Sequence, residues 1–180
     1  FPIPLVPLED GIYLLELFHG PTLAFKDVGA RFMAHAMSYF LAEDHRDLTI
    51  VVATSGDTGS AVAHGFFNVP HIQVFILYPS GKISPLQEKQ MTTLGGNIVA
   101  LEVEGTFDDC QLLVKKALSD RDQHRALTTA NSINLGRLLP QIVYYMWGLT
   151  QLQKQLGRDF RDPTIVVPSG NFGNLAWHRR

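Results

Sequence analysis

The chain has 180 residues, 46% of them apolar and 18% charged, a balance typical of one globular α/β domain or of part of a larger protein. Its formal net charge of −2 gives no reason to expect nucleic acid or an anionic membrane as a partner, and no apolar run is long enough to cross a bilayer. The single cysteine, Cys110, excludes an intrachain disulfide and indicates a reducing, cytoplasmic location.

Strand-like and helix-like segments alternate along the chain, after an opening stretch that three prolines keep out of a helix. Strands are predicted at 12–18, 48–53, 72–78, 97–103 and 126–130, with a last one after Pro163. Helices are predicted at 27–42, 58–67, 85–95, 107–118 and 136–156. Ser84 and Thr106 are predicted N-caps, and Cys110 lies on an apolar helical stripe that predicts a buried core position.

The alternation predicts an α/β fold with a largely parallel sheet and helices on both of its faces. We assign residues 48–135 to a small parallel α/β domain, and residues 1–47 and 136–180 to parts of a larger domain. The chain begins with Phe1 rather than Met and stops shortly after a loop that normally opens a helix. We therefore expect a fragment, truncated at both ends and inactive by itself.

Two of the predicted strands end in similar glycine-containing loops. One loop reads Ser-Gly-Asp-Thr-Gly over residues 55–59, and the other reads Ser-Gly-Asn-Phe-Gly-Asn over residues 169–174. Such loops leave backbone N–H groups unpaired at the carboxyl edge of a parallel sheet, where ligands of α/β folds bind. Both loops are therefore candidate sites for phosphate or carboxylate groups.

Lys26 follows a Gly-Pro turn and the apolar residues Leu23, Ala24 and Phe25. A lone lysine at a helix start is most often simply exposed. An apolar surround, however, favours the neutral amine, which is the form that attacks a carbonyl. A lysine of this kind with two anion-binding loops predicts an aldehyde cofactor that carries a phosphate, which is pyridoxal phosphate.

Five segments, at 19–27, 54–61, 81–89, 130–134 and 168–174, resemble the signatures of threonine synthase in the same order along the chain. The likeness is to the bacterial and fungal branch of that family, in the tryptophan-synthase-β-like (fold type II) group of pyridoxal phosphate enzymes. The resemblance implies that group's fold, here incomplete. It also implies conversion of O-phospho-L-homoserine and water to L-threonine and phosphate.

The resemblance assigns roles to individual residues. Lys26 forms the Schiff base with the cofactor and moves protons during the reaction. The backbone N–H groups that wrap the cofactor phosphate belong to Gly170, Asn171, Phe172, Gly173 and Asn174. The loop that faces the substrate carboxylate and the cofactor's 3′-oxygen consists of Ser55, Gly56, Asp57, Thr58 and Gly59. Asp57 is either protonated or contacts the cofactor only through its backbone N–H, because a carboxylate would repel a phenolate.

The resemblance also implies a set of residues for the substrate phosphate, Asn131, Ser132 and Arg137, with Lys82 as a further candidate. Arg137 is predicted on the first turn of a helix, where its guanidinium can reach an anion. Two alternatives stay open: another fold type II lyase or β-replacement enzyme, and a non-catalytic module that binds a phosphate ligand. The histidines show no metal-ligand spacing, and the sequence does not indicate an oligomeric state.

Overall fold

A computed structural model of the protein describes residues 2–44, 46–120, 126–131 and 134–168. The strands are β1 (Leu5–Glu9), β2 (Ile12–Leu15), β3 (Leu48–Ala53), β4 (Ile72–Pro79), β5 (Ile98–Val103) and β6 (Ala126–Thr128). The helices are α1 (Lys26–Asp44), α2 (Asp57–Phe66), α3 (Pro85–Thr92), α4 (Phe107–Ser119), α5 (Leu135–Leu138) and α6 (Ile142–Leu156). In the described ranges no helix is both long and apolar enough to cross a membrane.

Four strands form one parallel sheet in the order β5-β4-β3-β6. Residue 48 of β3 lies opposite Ile72 of β4 on one side and Ala126 of β6 on the other. The predicted α/β fold with a parallel sheet is thus confirmed. The sheet lies within residues 48–135, while the division of the chain into two domains stays a prediction.

Helices cover both faces of the sheet. On one face α1, α2 and α3 pack on a core that includes Met33, Ile50 and Phe66. On the other face α4 places Cys110 and Val114 against the sheet, as the apolar stripe predicts. Burying an aliphatic or aromatic side chain of this size stabilises the fold by about 1.5–3 kcal/mol, so both layers stabilise the sheet that carries the site.

Both predicted N-caps are present. The Ser84 hydroxyl accepts from the backbone N–H of Gln87 at 3.3 Å, and Pro85 occupies the first helical position of α3. Thr106 and Asp109 form a reciprocal capping box at the start of α4. These caps bind backbone groups only three residues away, which is why their residue spacing predicts them reliably.

Three predicted elements differ in the structure. The single helix predicted at 136–156 is broken into α5, a 3₁₀ turn at Leu139–Gln141 and α6, because Pro140 has no N–H to donate and cannot continue a helix. No regular element forms at 163–168, since no described strand lies beside this segment to pair with it. The strand β2 is shorter than predicted and forms an antiparallel hairpin with β1 instead of joining the parallel sheet.

Candidate active site

The turn that leads into α1 holds Lys26 in place. The N–H of Leu23 donates to the Gly20 carbonyl at 3.1 Å, and Leu23 has a φ of 59°. The buried Asp27 carboxylate accepts from the N–H of Thr22 at 3.0 Å and from its hydroxyl at 2.6 Å. A Cβ atom at Gly20 would lie 2.2 Å from that carboxylate, so only glycine fits there. The turn therefore sets the position of Lys26 at the first turn of α1.

Tyr144 of α6 supports the same turn from behind. Its hydroxyl donates to the backbone carbonyl of Phe25, the residue before Lys26. The tyrosine is 3% exposed, and burial raises the pKa of its phenol well above the usual value. The phenol therefore keeps its proton and remains a donor to this carbonyl.

Some backbone N–H groups of the loop between β3 and α2 are already hydrogen-bonded within the loop. The Thr54 hydroxyl accepts from the N–H of Gly56 at 2.9 Å and of Gly59 at 2.8 Å. The N–H groups of Asp57 and Thr58, in the first turn of α2, donate to no acceptor in the part of the chain that the structure describes. These two amides at a helix N-terminus suit a carboxylate or phosphate group.

Lys26 and Asp57, which are 31 positions apart in sequence, meet at the sheet edge. The Lys26 Nζ lies 3.3 Å from the Asp57 Oδ2, and 5.6 Å from the centre of the Phe25 ring. The other oxygen of Asp57, Oδ1, accepts from the Gln87 Nε2 at 2.5 Å. The Lys26 side chain is 14% exposed. The surround of Lys26 is therefore not purely apolar as predicted, because a carboxylate also contacts its amine.

Asn131 lies next to the same loop but is hydrogen-bonded to the sheet. Its Nδ2 donates to the Ala53 carbonyl at 2.7 Å, and its Oδ1 accepts from the Ala53 N–H at 3.2 Å. The side-chain amide thereby prolongs the pairing of β3 and β6 beyond their last backbone bonds. Asn131 contacts the end of β3 in this way, and its role at the substrate phosphate stays a prediction.

Arg137 lies below this edge rather than on an open surface. It is 2% exposed, and its Nη1 donates to the Ala130 carbonyl at 2.6 Å. Burial lowers the pKa of the guanidinium from 12.5 to about 10. Its Nε has no hydrogen-bond partner among the described residues. A buried cation with an unused donor is a candidate partner for an anion.

The structure does not place every predicted residue beside Lys26 and Asp57. Lys82 is exposed on the turn after β4, and its backbone N–H donates to the Pro79 carbonyl at 3.2 Å. The pKa of Asp109 is lowered first by hydrogen bonds from Thr106, and attraction from Lys82 adds to that effect. Other predicted site residues lie outside the described residues: Ser132, Gly170, Asn171, Phe172, Gly173 and Asn174.

A cleft of about 870 Å³ lies beside the lysine turn, and its walls are mostly apolar. Its lining includes Phe25 and Asp57, which flank Lys26, together with Tyr144 and the segment 162–168. That segment leads directly into the predicted phosphate loop. The lysine amine, the N–H groups of Asp57 and Thr58 at the start of α2 and this cleft fit a planar aromatic aldehyde that carries a phosphate.

Two contributors to the site, Gln87 and Tyr144, are missed by sequence reasoning. Gln87 has a local signal, since it follows the Ser84 cap by three residues, but that signal predicts only a helix start. Tyr144 belongs to an aromatic run that suggests packing between domains.

In the described ranges no group of three or more His, Cys, Asp or Glu side chains is placed to bind a metal ion.

Comparison with known proteins gives a family and several relatives. The family model described as "Pyridoxal-phosphate dependent enzyme" matches residues 1–176. Threonine synthase of Haemophilus influenzae is 55% identical over 179 residues, which is 98% of this chain and 41% of that protein. The crystal structure of PLP-bound threonine synthase from Brucella melitensis is 45% identical with a TM-score of 0.85, covering 96% of this chain and 37% of that one.

A fungal structure is similar as well. Threonine synthase from yeast is 45% identical with a TM-score of 0.82, covering 91% of this chain and 33% of that chain. The similarity to both bacterial and fungal threonine synthases confirms the resemblance predicted from the five segments. The chain spans about two fifths of the length of the bacterial relatives that it matches.

Proposed function

Since the chain belongs to the family of pyridoxal-phosphate dependent enzymes, we propose that its activity is the conversion of O-phospho-L-homoserine and water to L-threonine and phosphate. The observation that carries this proposal is the contact of Lys26 with Asp57 at the edge of the cleft. The buried Arg137 lies on α5, the helix that follows β6 in the chain. The similarity to threonine synthases supports this reaction over others of the family.

Lys26 would hold the cofactor covalently through its Nζ, and residues 170–174 would hold the cofactor phosphate. When bound, pyridoxal phosphate supplies an electron sink. The backbone N–H groups of Asp57 and Thr58, which donate to no described residue, would bind an anionic group of the substrate or cofactor. Tyr144 and the Asp27 carboxylate hold the turn that precedes Lys26, which fixes the backbone from which its side chain extends.

When its amine is free of the cofactor, Lys26 would act as the base that removes the α-proton of the substrate and then helps to remove a β-proton. Phosphate would leave the γ-carbon, which would take up a proton to become the methyl group. The hydroxyl of water would add at the β-carbon, and the α-carbon would regain a proton from the same amine. One base can serve neighbouring carbons because the distance between them is small compared with the reach of a lysine side chain. The Asp57 carboxylate, 3.3 Å from Nζ, stabilises the amine whenever it carries the proton.

Asp57 takes part in this scheme as a carboxylate. Both of its oxygens accept hydrogen bonds from donors, Lys26 Nζ and Gln87 Nε2, which favours the ionised form over a protonated acid. Of the two alternatives for Asp57, we therefore favour a contact with the cofactor through its backbone N–H alone.

Arg137 is proposed to bind the phosphate that leaves the substrate. Its buried charge, and an Nε that no described residue contacts by a hydrogen bond, give an anion more stabilisation than an exposed arginine could. An acetyl or hydroxyl leaving group does not require a guanidinium. Arg137 therefore favours a phosphate ester over the substrates of the alternative lyases and β-replacement enzymes.

Steady-state assays of the full-length protein test the proposal. With pyridoxal phosphate present, O-phospho-L-homoserine should give threonine and phosphate in equal amounts. Lys26→Ala should abolish turnover, while Lys89→Ala, on the exposed side of α3, should leave it unchanged. Equal turnover of O-acetyl-L-serine would point to another lyase or β-replacement enzyme. Ligand binding without any turnover would indicate a non-catalytic module.

A further inference from the structure

We propose that Gln87 is a positioning residue for Lys26, acting through Asp57. Gln87 lies on α3, outside the lysine turn and outside the β3–α2 loop. The proposal rests on the proposed function only in requiring that Lys26 binds the cofactor. It concerns how this chain holds the lysine amine in its working position.

The two oxygens of Asp57 are shared between two partners. Oδ1 accepts from the Gln87 Nε2 at 2.5 Å, while Oδ2 faces the Lys26 Nζ at 3.3 Å. The Asp57 side chain is 48% exposed, so without a partner for Oδ1 it is free to rotate towards solvent. The bond from Gln87 fixes the plane of the carboxylate and thereby keeps Oδ2 on the lysine.

Gln87 itself is held on several sides. The Ser84 hydroxyl donates to its Oε1 at 3.0 Å, which leaves Nε2 as the atom that faces Asp57. The Ser60 hydroxyl donates to its backbone carbonyl at 3.3 Å. The side chain of Gln87 is therefore pre-oriented by the cap of α3 and by α2 before it contacts the carboxylate.

The loop next to Asp57 is shaped to admit Gln87. Gly56 has a φ of 141°, which only glycine adopts readily, and a Cβ atom there would lie 2.4 Å from the Gln87 Oε1. Gly56 is thus needed both for the turn and for the approach of Gln87. A glutamate at position 87 would keep the size of the side chain but place a second negative charge against Asp57.

A double-mutant cycle in the full-length protein tests this role. The variants are Gln87→Leu, Asp57→Ala and the double variant, with Gln90→Leu as the matched control. Gln90 lies on the same helix, is half-buried, and its side-chain amide makes no hydrogen bond to a described residue. The readouts are the dissociation constant of pyridoxal phosphate, the rate at which borohydride fixes it to Lys26, and the Tm.

Gln87→Leu loses a hydrogen bond to a charged carboxylate. It should therefore raise the dissociation constant of pyridoxal phosphate, and slow its fixation to Lys26 by borohydride, by about three- to tenfold. Gln90→Leu should change either quantity by less than about twofold. In the Asp57→Ala background the Gln87 substitution should have almost no further effect, because its target is gone. Gln87→Glu should be worse than Gln87→Leu, although it keeps the acceptor for Ser84.

A merely structural role would lower the Tm and add to the Asp57 effect in the double variant. That additivity overturns the inference, as does unchanged cofactor attachment in Gln87→Leu. If Gln87→Leu does not fold, the comparison of Gln87→Glu with wild type replaces it, and equal attachment rates then overturn the inference. A wild-type protein that attaches the cofactor at a lysine other than Lys26 overturns the proposed function and this inference together.

Discussion

Replacing Arg137 with methionine separates the contribution of this residue to the fold from its proposed contribution to phosphate binding. Methionine keeps most of the buried length of the side chain but carries neither charge nor N–H donors. Arg137 is 2% exposed, so the substitution changes a fully buried position. We expect a small change in the free energy of unfolding and a large change in turnover.

The opposing contributions to stability are of similar size. The lowering of the pKa from 12.5 to about 10 by burial corresponds to roughly 3 kcal/mol against the charged form. The charge-assisted bond from Nη1 to the Ala130 carbonyl, at 2.6 Å, contributes about 1.5–3 kcal/mol in its favour. Their near-cancellation predicts a change of less than about 2 kcal/mol in Arg137→Met.

The pH dependence has a definite sign. When folding lowers the pKa of a basic group, the folded protein loses stability by keeping that group charged at pH values below the folded pKa. This loss disappears as pH rises above the folded pKa. The penalty from Arg137 is therefore fully present below a pH of about 10, and it fades between about 10 and 12.5. The stability of Arg137→Met should lack this rise.

Urea unfolding gives the stability, steady-state kinetics give kcat/KM for O-phospho-L-homoserine, and visible absorbance reports the bound cofactor. Loss of a buried charge-assisted contact with the phosphate should lower kcat/KM at least about tenfold, with cofactor absorbance near that of the wild type. Arg158→Met, at an exposed arginine, is the control and should change neither. Unchanged kcat/KM, or loss of cofactor absorbance together with activity, refutes the reasoning.

Three further predictions concern the lysine turn and the end of β3. Borohydride reduction of the cofactor-loaded protein, followed by peptide mapping, should place the cofactor on Lys26, and a label on any other lysine contradicts the assignment. Tyr144→Phe should cost about 1–3 kcal/mol in urea unfolding, because the Phe25 carbonyl loses its buried donor. The raised pKa of Tyr144 means that its contribution to stability is fully present below a pH of about 10 and falls as pH rises towards the folded pKa. This falling contribution, which opposes the rise from Arg137, should be absent from the variant, and an equal pH slope in the two proteins argues against it. Asn131→Ala should cost about 2–4 kcal/mol, because it leaves the N–H and the carbonyl of Ala53 without partners, and a cost below about 1 kcal/mol shows that water replaces the amide.

Much of the architecture follows from local patterns in the sequence. The alternation of apolar runs predicts the parallel sheet with helices on both faces, and the spacing of Ser84 and Thr106 predicts two helix starts. The apolar stripe of α4 places Cys110 in the core. Each of these features depends on side-chain period or on a hydrogen bond across three residues, so a short stretch of sequence contains all the information needed.

The site itself depends on contacts between distant segments. The order β5-β4-β3-β6 puts Asn131 beside Ala53, and the crossovers bring Lys26, Asp57 and Gln87 together. The sequence by itself predicts Lys26 and the two glycine loops as parts of the site, and these stay predictions. It predicts neither the carboxylate beside the amine nor the amide that holds it. It also does not predict how deeply Arg137 is buried, because burial depends on which helices pack above a residue, and that is decided only when the whole sheet has assembled.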